Sequence, residues 1–222
     1  MKSVVALRRF GRALGVNKVI ASFAAKGYES RYDDSLSDAI REGDVVWDVG
    51  ANVGYYTKRF VARVGASGTV VAFEPSQVNF AHLKIACEGM VQVKFAPFGL
   101  GDKVGSVGFC QGSDDLGATS RVVEDGEIGN RVEIRVGDEE VDLGLPQPNV
   151  LKIDVEGYEG EVLEGLSRCM ASPKLRAVGV EVHFGILDSR AMPNVPSQIE
   201  SQLRKAGFRV FWPDSSHLLA LR

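Results

Sequence analysis

A chain of 222 residues has room for one α/β domain with a small appendage, but hardly for two full domains. Hydrophobic residues at 45% and charged residues at 25% exclude a disordered tail, a collagen repeat and a fibrous rod. A net charge of −3, with no zinc-finger, basic-zipper or aromatic RNA-platform pattern, gives no footprint for nucleic acid. Cys87, Cys110 and Cys169 are an odd number without close pairing, which argues against a disulfide framework and a Cys-ligated zinc. With no run of the roughly 18 apolar residues that a bilayer crossing requires, the expectation is a soluble protein of the reducing cytoplasm.

Charge is unevenly placed. Residues 1–28 hold Lys2, Arg8, Arg9, Arg12, Lys18 and Lys26 and no acid, a segment of +6 that leaves −9 for the remainder. Val4, Val5, Leu7, Leu14, Val16, Val19, Ile20 and Phe23 are spaced for an amphipathic helix pair with a basic face. We read residues 1–40 as a basic helical segment packed on the main domain. The competing reading of residues 1–28 is contact with an anionic membrane surface, or a transit peptide.

From Asp44 onward, in the region 41–222, β-branched runs alternate with helical patterns, the signature of βαβ units around a mainly parallel sheet. Residues Val45–Val49, Thr69–Phe73, Val91–Ala96, Val150–Val155 and Ala177–Val182 are expected as strands buried on both faces. Tyr55–Val64, Gln77–Cys87, Tyr158–Leu166 and Ser197–Ala206 are expected as helices. Val104–Cys110 and Arg131–Val136 predict a hairpin-like insertion around a polar loop, Gln111–Asn130, a candidate lid. Gly207–Trp212 and Ser216–Leu221 predict a closing antiparallel hairpin. Right-handed crossovers bring the strand carboxyl ends, and so a ligand, to one edge.

At that edge the first strand runs into Asp48-Val49-Gly50-Ala51-Asn52-Val53-Gly54. Its glycines allow close backbone approach to a ligand at a helix N-terminus. A dinucleotide fingerprint would place glycine where Asn52 stands, and a carboxylate at Asp48 repels a pyrophosphate but suits a sulfonium or ammonium. Glu74, after the next strand, is placed to accept both hydroxyls of a ribose. Together they favour S-adenosylmethionine over a nicotinamide dinucleotide. Lys152, Asp154 and Glu156 alternate at the end of a third strand and share a face. Glu181 and His183 repeat that alternation on a fourth.

The pieces Asp48–Gly54, Phe73-Glu74-Pro75, Gly99-Leu100-Gly101-Asp102 and Lys152-Ile153-Asp154-Val155-Glu156-Gly157-Tyr158-Glu159, in this order, resemble the FkbM family of S-adenosylmethionine-dependent methyltransferases. The resemblance spans roughly residues 28–221, and the Lys152–Glu159 run is its most specific part. It implies a Rossmann-like seven-stranded methyltransferase sheet and O-methylation of a hydroxyl on a sugar, glycan or natural-product small molecule. It further implies that Asp48, Gly50, Asn52 and Gly54 hold the methionine part of the cofactor, Glu74 its ribose, and Gly101 and Asp102 its adenine end, with Asp154 also among the cofactor-binding residues. Asp154, Glu156 and His183 would face the acceptor. Ala86, where the family often has Asn, and the Pro97–Gly99 turn depart from the pattern on the adenine side.

His183, with an ordinary pKa near 6.5, is the expected base for the acceptor hydroxyl, oriented or replaced by Asp154 or Glu156. The main reading needs no metal. A lesser one places a magnesium-type ion among Asp154, Glu156, Glu181 and His183. The alternatives from other classes are a nicotinamide-dependent oxidoreductase and a binding protein that keeps the fold without catalysis.

Overall fold

In the computed structural model, residues 31–110, 121–123 and 130–222 are described. In chain order the elements are α1 (31–38), β1 (Val45–Val49), α2 (Tyr55–Val64), β2 (Thr69–Phe73), α3 (Gln77–Ala86), β3 (Val93–Ala96), β4 (Gly99–Gly101) and β5 (Gly105–Cys110). They continue as β6 (Arg121–Val123), β7 (Asn130–Val136), α4 (Gly137–Asp142), β8 (Val150–Ile153), α5 (Glu159–Glu164), α6 (Ser167–Ala171) and β9 (Ala177–Glu181). The last are α7 (Phe184–Ser189), α8 (Val195–Lys205), β10 (Arg209–Phe211) and β11 (His217–Leu221).

Seven strands form one sheet in the order β3-β2-β1-β8-β9-β11-β10. The β1, β2, β3, β8 and β9 ladders are parallel, and β11 runs antiparallel to both its neighbours. The apolar runs of β1, β2, β8 and β9 suit strands covered on both faces. One face carries Trp47, Phe73, Leu151 and Ile153 beneath Leu163, Leu166 and Leu203 of the α5, α6 and α8 region. The other carries Val46, Val70 and Val150 beneath Tyr32 and Leu36 of α1 and Phe60 and Val64 of α2. Each such fully buried side chain contributes about 1.5–3 kcal/mol relative to exposure.

Ladder register explains a polar feature inside this sheet. Asp48 lies opposite Lys152, and Lys152 opposite Gly179. Neighbours in register point to one face, so the two charges meet, and Gly179 leaves the space that Tyr32 fills. A Cβ at Gly179 would lie 2.5 Å from the Tyr32 hydroxyl.

Several expectations need correction. The Val91–Ala96 run is not a strand buried on both faces: β3 starts at Val93 on the sheet edge, with Lys94 and Phe95 exposed. The single helix expected over Tyr158–Leu166 ends at Glu164, and a second short helix starts at Ser167. Asp138 sets that start, because its carboxylate accepts from the backbone N–H of Arg168 and Cys169, at 2.7 and 2.9 Å. The insertion is more than a hairpin: β5 and β7 pair as expected, but β4 joins β7 in parallel and makes a second sheet, β4-β7-β5-β6. The expected lid falls mainly outside the described residues, as does the whole basic segment 1–28. Among the described residues no helix is long and apolar enough to cross a membrane.

Candidate active site

A cleft opens at the carboxyl ends of β1, β2 and β8, walled on one side by the small sheet. Gly50, Asn52, Glu74 and Pro75 line it from the large sheet, Asn79 from α3, and Gly99, Leu100, Val132 and Ile134 from β4 and β7. Asp154, Glu156 and Tyr158 complete it after β8.

The turn after β1 is built for close approach. Gly50 has φ +78°, Asn52 +50° and Gly54 +88°. A Cβ on Gly50 would lie 1.8 Å from the carbonyl oxygen of Asp154, so only glycine allows the two strand ends to meet. The N–H groups of Gly50 and Ala51 both donate to the Phe73 carbonyl, at 3.0 and 2.9 Å. Glu74 ties down the rest: its two carboxylate oxygens accept from the N–H of Asn52 at 2.9 Å and of Ser76 at 2.8 Å. Burial raises the Glu74 pKa to about 7, against the pull of those two N–H groups and of Lys152. The Asn52 Oδ1 is buried without a hydrogen-bond partner.

Not every residue expected at the cofactor lines this cleft. Asp48 is fully buried behind the turn, where it accepts from the Thr57 hydroxyl at 2.6 Å and pairs with Lys152 Nζ at 3.1 Å. Its charge is spent on that ammonium, which also donates to the Gly50 carbonyl at 2.8 Å and lies 3.5 Å from Asp154. Burial opposes the charge on Lys152, but Asp48 and Asp154 outweigh it and raise its pKa, so Lys152 stays an ammonium. Gly54 serves as the N-cap of α2, packed toward Leu83 and Cys87. Gly101 is buried against Ile134, Tyr158 and the backbone at Gly165, and Asp102 is exposed beyond it. Gly99 and Leu100, the two residues just before Gly101 in β4, line the cleft in their place. Asn79 and the apolar wall of Val132 and Ile134 were not foreseen. The one sequence signal for Asn79 was its place in the first turn of a helix just after Glu74-Pro75.

At the other end, His183, just after β9, sits among carboxylates from the segment that follows β8. Its Nδ1 lies 2.7 Å from Glu159 Oε1, and its Nε2 lies 3.2 Å from Glu156 Oε2 and 3.7 Å from Asp154 Oδ1. Ligand atoms of Asp154, Glu156 and His183 all fall within 4.8 Å of one another, as a metal ion would require. Burial disfavours the charged imidazole, but the hydrogen bond to Glu159 and the nearby carboxylates prevail and push its pKa to about 9. The reason for expecting His183 as the base, an ordinary pKa near neutrality, therefore does not hold: the ring is an imidazolium at pH 7. Burial likewise raises Asp154, against Lys152, and takes Glu156 to about 7 against the His183 charge. Glu181 is drawn elsewhere. It pairs with His217 at 3.5 Å, and His217 also bonds Asp214 at 2.8 Å and stacks on Tyr32.

Residues 48–210 match the model of the methyltransferase FkbM domain. The chain is 33% identical to the hexuronic acid methyltransferase AglP of Haloferax volcanii, over 68% of this chain and 61% of that protein. It thus spans less than two thirds of that relative's length. It is 28% identical to the 31-O-demethyl-FK506 methyltransferase FkbM of Streptomyces tacrolimicus, over 65% of this chain and 67% of that one. The crystal structure of a methyltransferase FkbM from Methylobacillus flagellatus has the same fold. It superposes with a TM-score of 0.53 at 17% identity, over 81% of this chain and 43% of that one. A match over most of the described domain, with the motif turns gathered at one sheet edge, means that the chain belongs to the FkbM-domain family of methyltransferases.

Proposed function

We propose that this chain methylates a hydroxyl oxygen of a sugar or natural-product small molecule, with S-adenosylmethionine as donor. The observation that carries the reading is the acceptor-rich cleft: the unpartnered Asn52 Oδ1 and the free lone pairs of Glu74 line it, with Asp154 and Glu156 opposite. These groups fit a ligand with an ammonium or sulfonium charge and ribose hydroxyls, and they oppose a pyrophosphate. Gly50 and Asn52 would hold the amino-acid end, Glu74 the ribose, and Leu100, Val132 and Ile134 would pack on the base. S-adenosylmethionine, when bound, supplies a methyl carbon that passes to the acceptor oxygen as its bond to sulfur breaks and a neutral thioether departs.

The chain's own contribution is alignment and exclusion of water, which can lower such a barrier by roughly 7–11 kcal/mol. Asp154 and Glu156 would take hydrogen bonds from the acceptor's hydroxyls, with His183 held between them as a positive charge. The names of the two curated relatives, a hexuronic acid methyltransferase and a 31-O-demethyl-FK506 methyltransferase, support a sugar or natural-product hydroxyl as acceptor. Calorimetric titration with S-adenosylmethionine, its demethylated product and NADH tests the donor. Binding of the first two and not the third is expected, and absence of affinity for both would end the proposal. Transfer of labelled methyl to a panel of uronic-acid glycans and macrolide diols then reads the acceptor class.

A further inference from the structure

We propose that Asp154, Glu156 and His183 hold one hard divalent cation of the magnesium or manganese class, whose open positions are filled by hydroxyl oxygens of the acceptor. The inference rests on the reading that a hydroxyl is methylated in this cleft, and it assigns the device that acidifies that hydroxyl.

Geometry is the first support. An octahedral ion with ligands near 2.1 Å places adjacent donors about 3 Å apart and opposite donors about 4.2 Å apart. The His183 Nε2 lies 3.2 Å from Glu156 Oε2 and 3.7 Å from Asp154 Oδ1, within that span. The three side chains come from the ends of two adjacent strands, β8 and β9, and are partly exposed, His183 at 16% and each carboxylate at 26%. Asp154 and Glu156 line the cleft, so an ion between them would meet its contents.

The second support lies behind the imidazole. Glu159 is fully buried, and its Oε1 accepts from the Gly157 N–H at 3.0 Å while holding His183 Nδ1 at 2.7 Å. A carboxylate gripping one ring nitrogen of a histidine orients the ring, and once the ion displaces the proton that the imidazolium carries on Nε2 it aims that nitrogen's lone pair, the usual support of a metal-bound imidazole. The remaining oxygen of Glu159 is buried without a hydrogen-bond partner.

Local charge points the same way. Asp154, Glu156, Glu159 and Glu181 converge on the strand ends. Of the cations facing them, Lys152 is shared with Asp48, and His217 with Asp214. Two carboxylates, one imidazole and no thiolate favour a hard ion. Glu181 does not belong to the set, because His217 occupies it. With three protein donors among the described residues the ion keeps open positions. There it lowers the pKa of a bound hydroxyl, which loses its proton to solvent or to a spare carboxylate oxygen as the alkoxide attacks.

The 222-residue chain freed of metal with EDTA, titrated with Mn2+ by calorimetry and by the resonance signal of free Mn2+, tests this. One Mn2+ per chain is expected, weakened at least 10-fold in His183→Ala and in Glu156→Gln. Glu159→Gln, which touches the ion only through the ring, should weaken it about 10- to 100-fold. Circular dichroism identifies a variant that fails to fold, in which case the others decide. No binding by the parent chain overturns the proposal, as does binding that the folded variants leave unchanged. S-adenosylmethionine titrated into the same metal-free sample separates the two ideas. Cofactor binding without Mn2+ binding removes the ion alone, and Mn2+ binding without cofactor binding removes the methyl-donor reading alone.

Discussion

Replacing Glu74 by Gln separates the cost of a buried charge from its use. Glu74 is 4% exposed, so its raised pKa needs little discount for solvent screening. The folded chain holds the proton up to about pH 7, whereas the unfolded chain releases it near 4.5. Between those values the folded state binds more protons, so stability falls as pH rises through the window and levels off above it. Ionised Glu74 thus withholds about 3 kcal/mol at alkaline pH. Gln cannot titrate, so the stability of the variant relative to the parent should rise by about 2.5 kcal/mol from pH 5 to pH 8. Urea denaturation of both proteins at four pH values reads the difference. In the same variant, loss of a charged acceptor for ribose hydroxyls should weaken cofactor binding at pH 8 by about 1.5–3 kcal/mol, roughly 10- to 150-fold. A stability difference that stays constant across the range refutes the argument that burial controls this carboxylate. Unchanged affinity refutes the ribose contact.

Two other perturbations follow from the sheet's interior. Lys152→Met strands the fully buried Asp48 and should cost about 3–5 kcal/mol, while adding Asp48→Asn should restore much of the loss; denaturation of the single and double variants checks the pairing. Gly50→Ala drives a methyl into the Asp154 carbonyl at a backbone angle that disfavours side chains. A turn displaced by about 1 Å should cost about 100-fold in cofactor affinity by calorimetry, with the helical dichroism largely kept.

The sheet was legible because buried parallel strands are written as unbroken β-branched runs, and β1, β2, β8 and β9 are of that kind. Glycines and acids at their ends marked the edge where Gly50, Asn52, Glu74, Asp154, Glu156 and His183 now gather. What could not be read depends on partners distant in sequence. Gly99–Gly101 carries no strand signal of its own and extends only because β7 pairs with it. Helix α4 is polar and held by packing rather than by periodicity, and α7 follows His183 without a capping side chain. A carboxylate's role was the least legible property. Asp48 and Asp154 look alike in the chain, yet register buries the first under Lys152 and leaves the second at the cleft. The protonation of His183 was equally hidden, because Glu159 is 24 residues away.

Lys152 joins what would otherwise be two separate half-sites. One ammonium grips the carbonyl of the Gly50 turn and faces the carboxylate of Asp154. A ligand or ion that draws Asp154 toward itself leaves Lys152 more firmly committed to Asp48 and Gly50, and a ligand that shifts the turn changes the field at Asp154. Linkage then works in both directions with equal strength: whatever factor the acceptor applies to donor affinity, the donor returns to the acceptor. The coupling between the two ends of the cleft thus runs through a single side chain that does not line it.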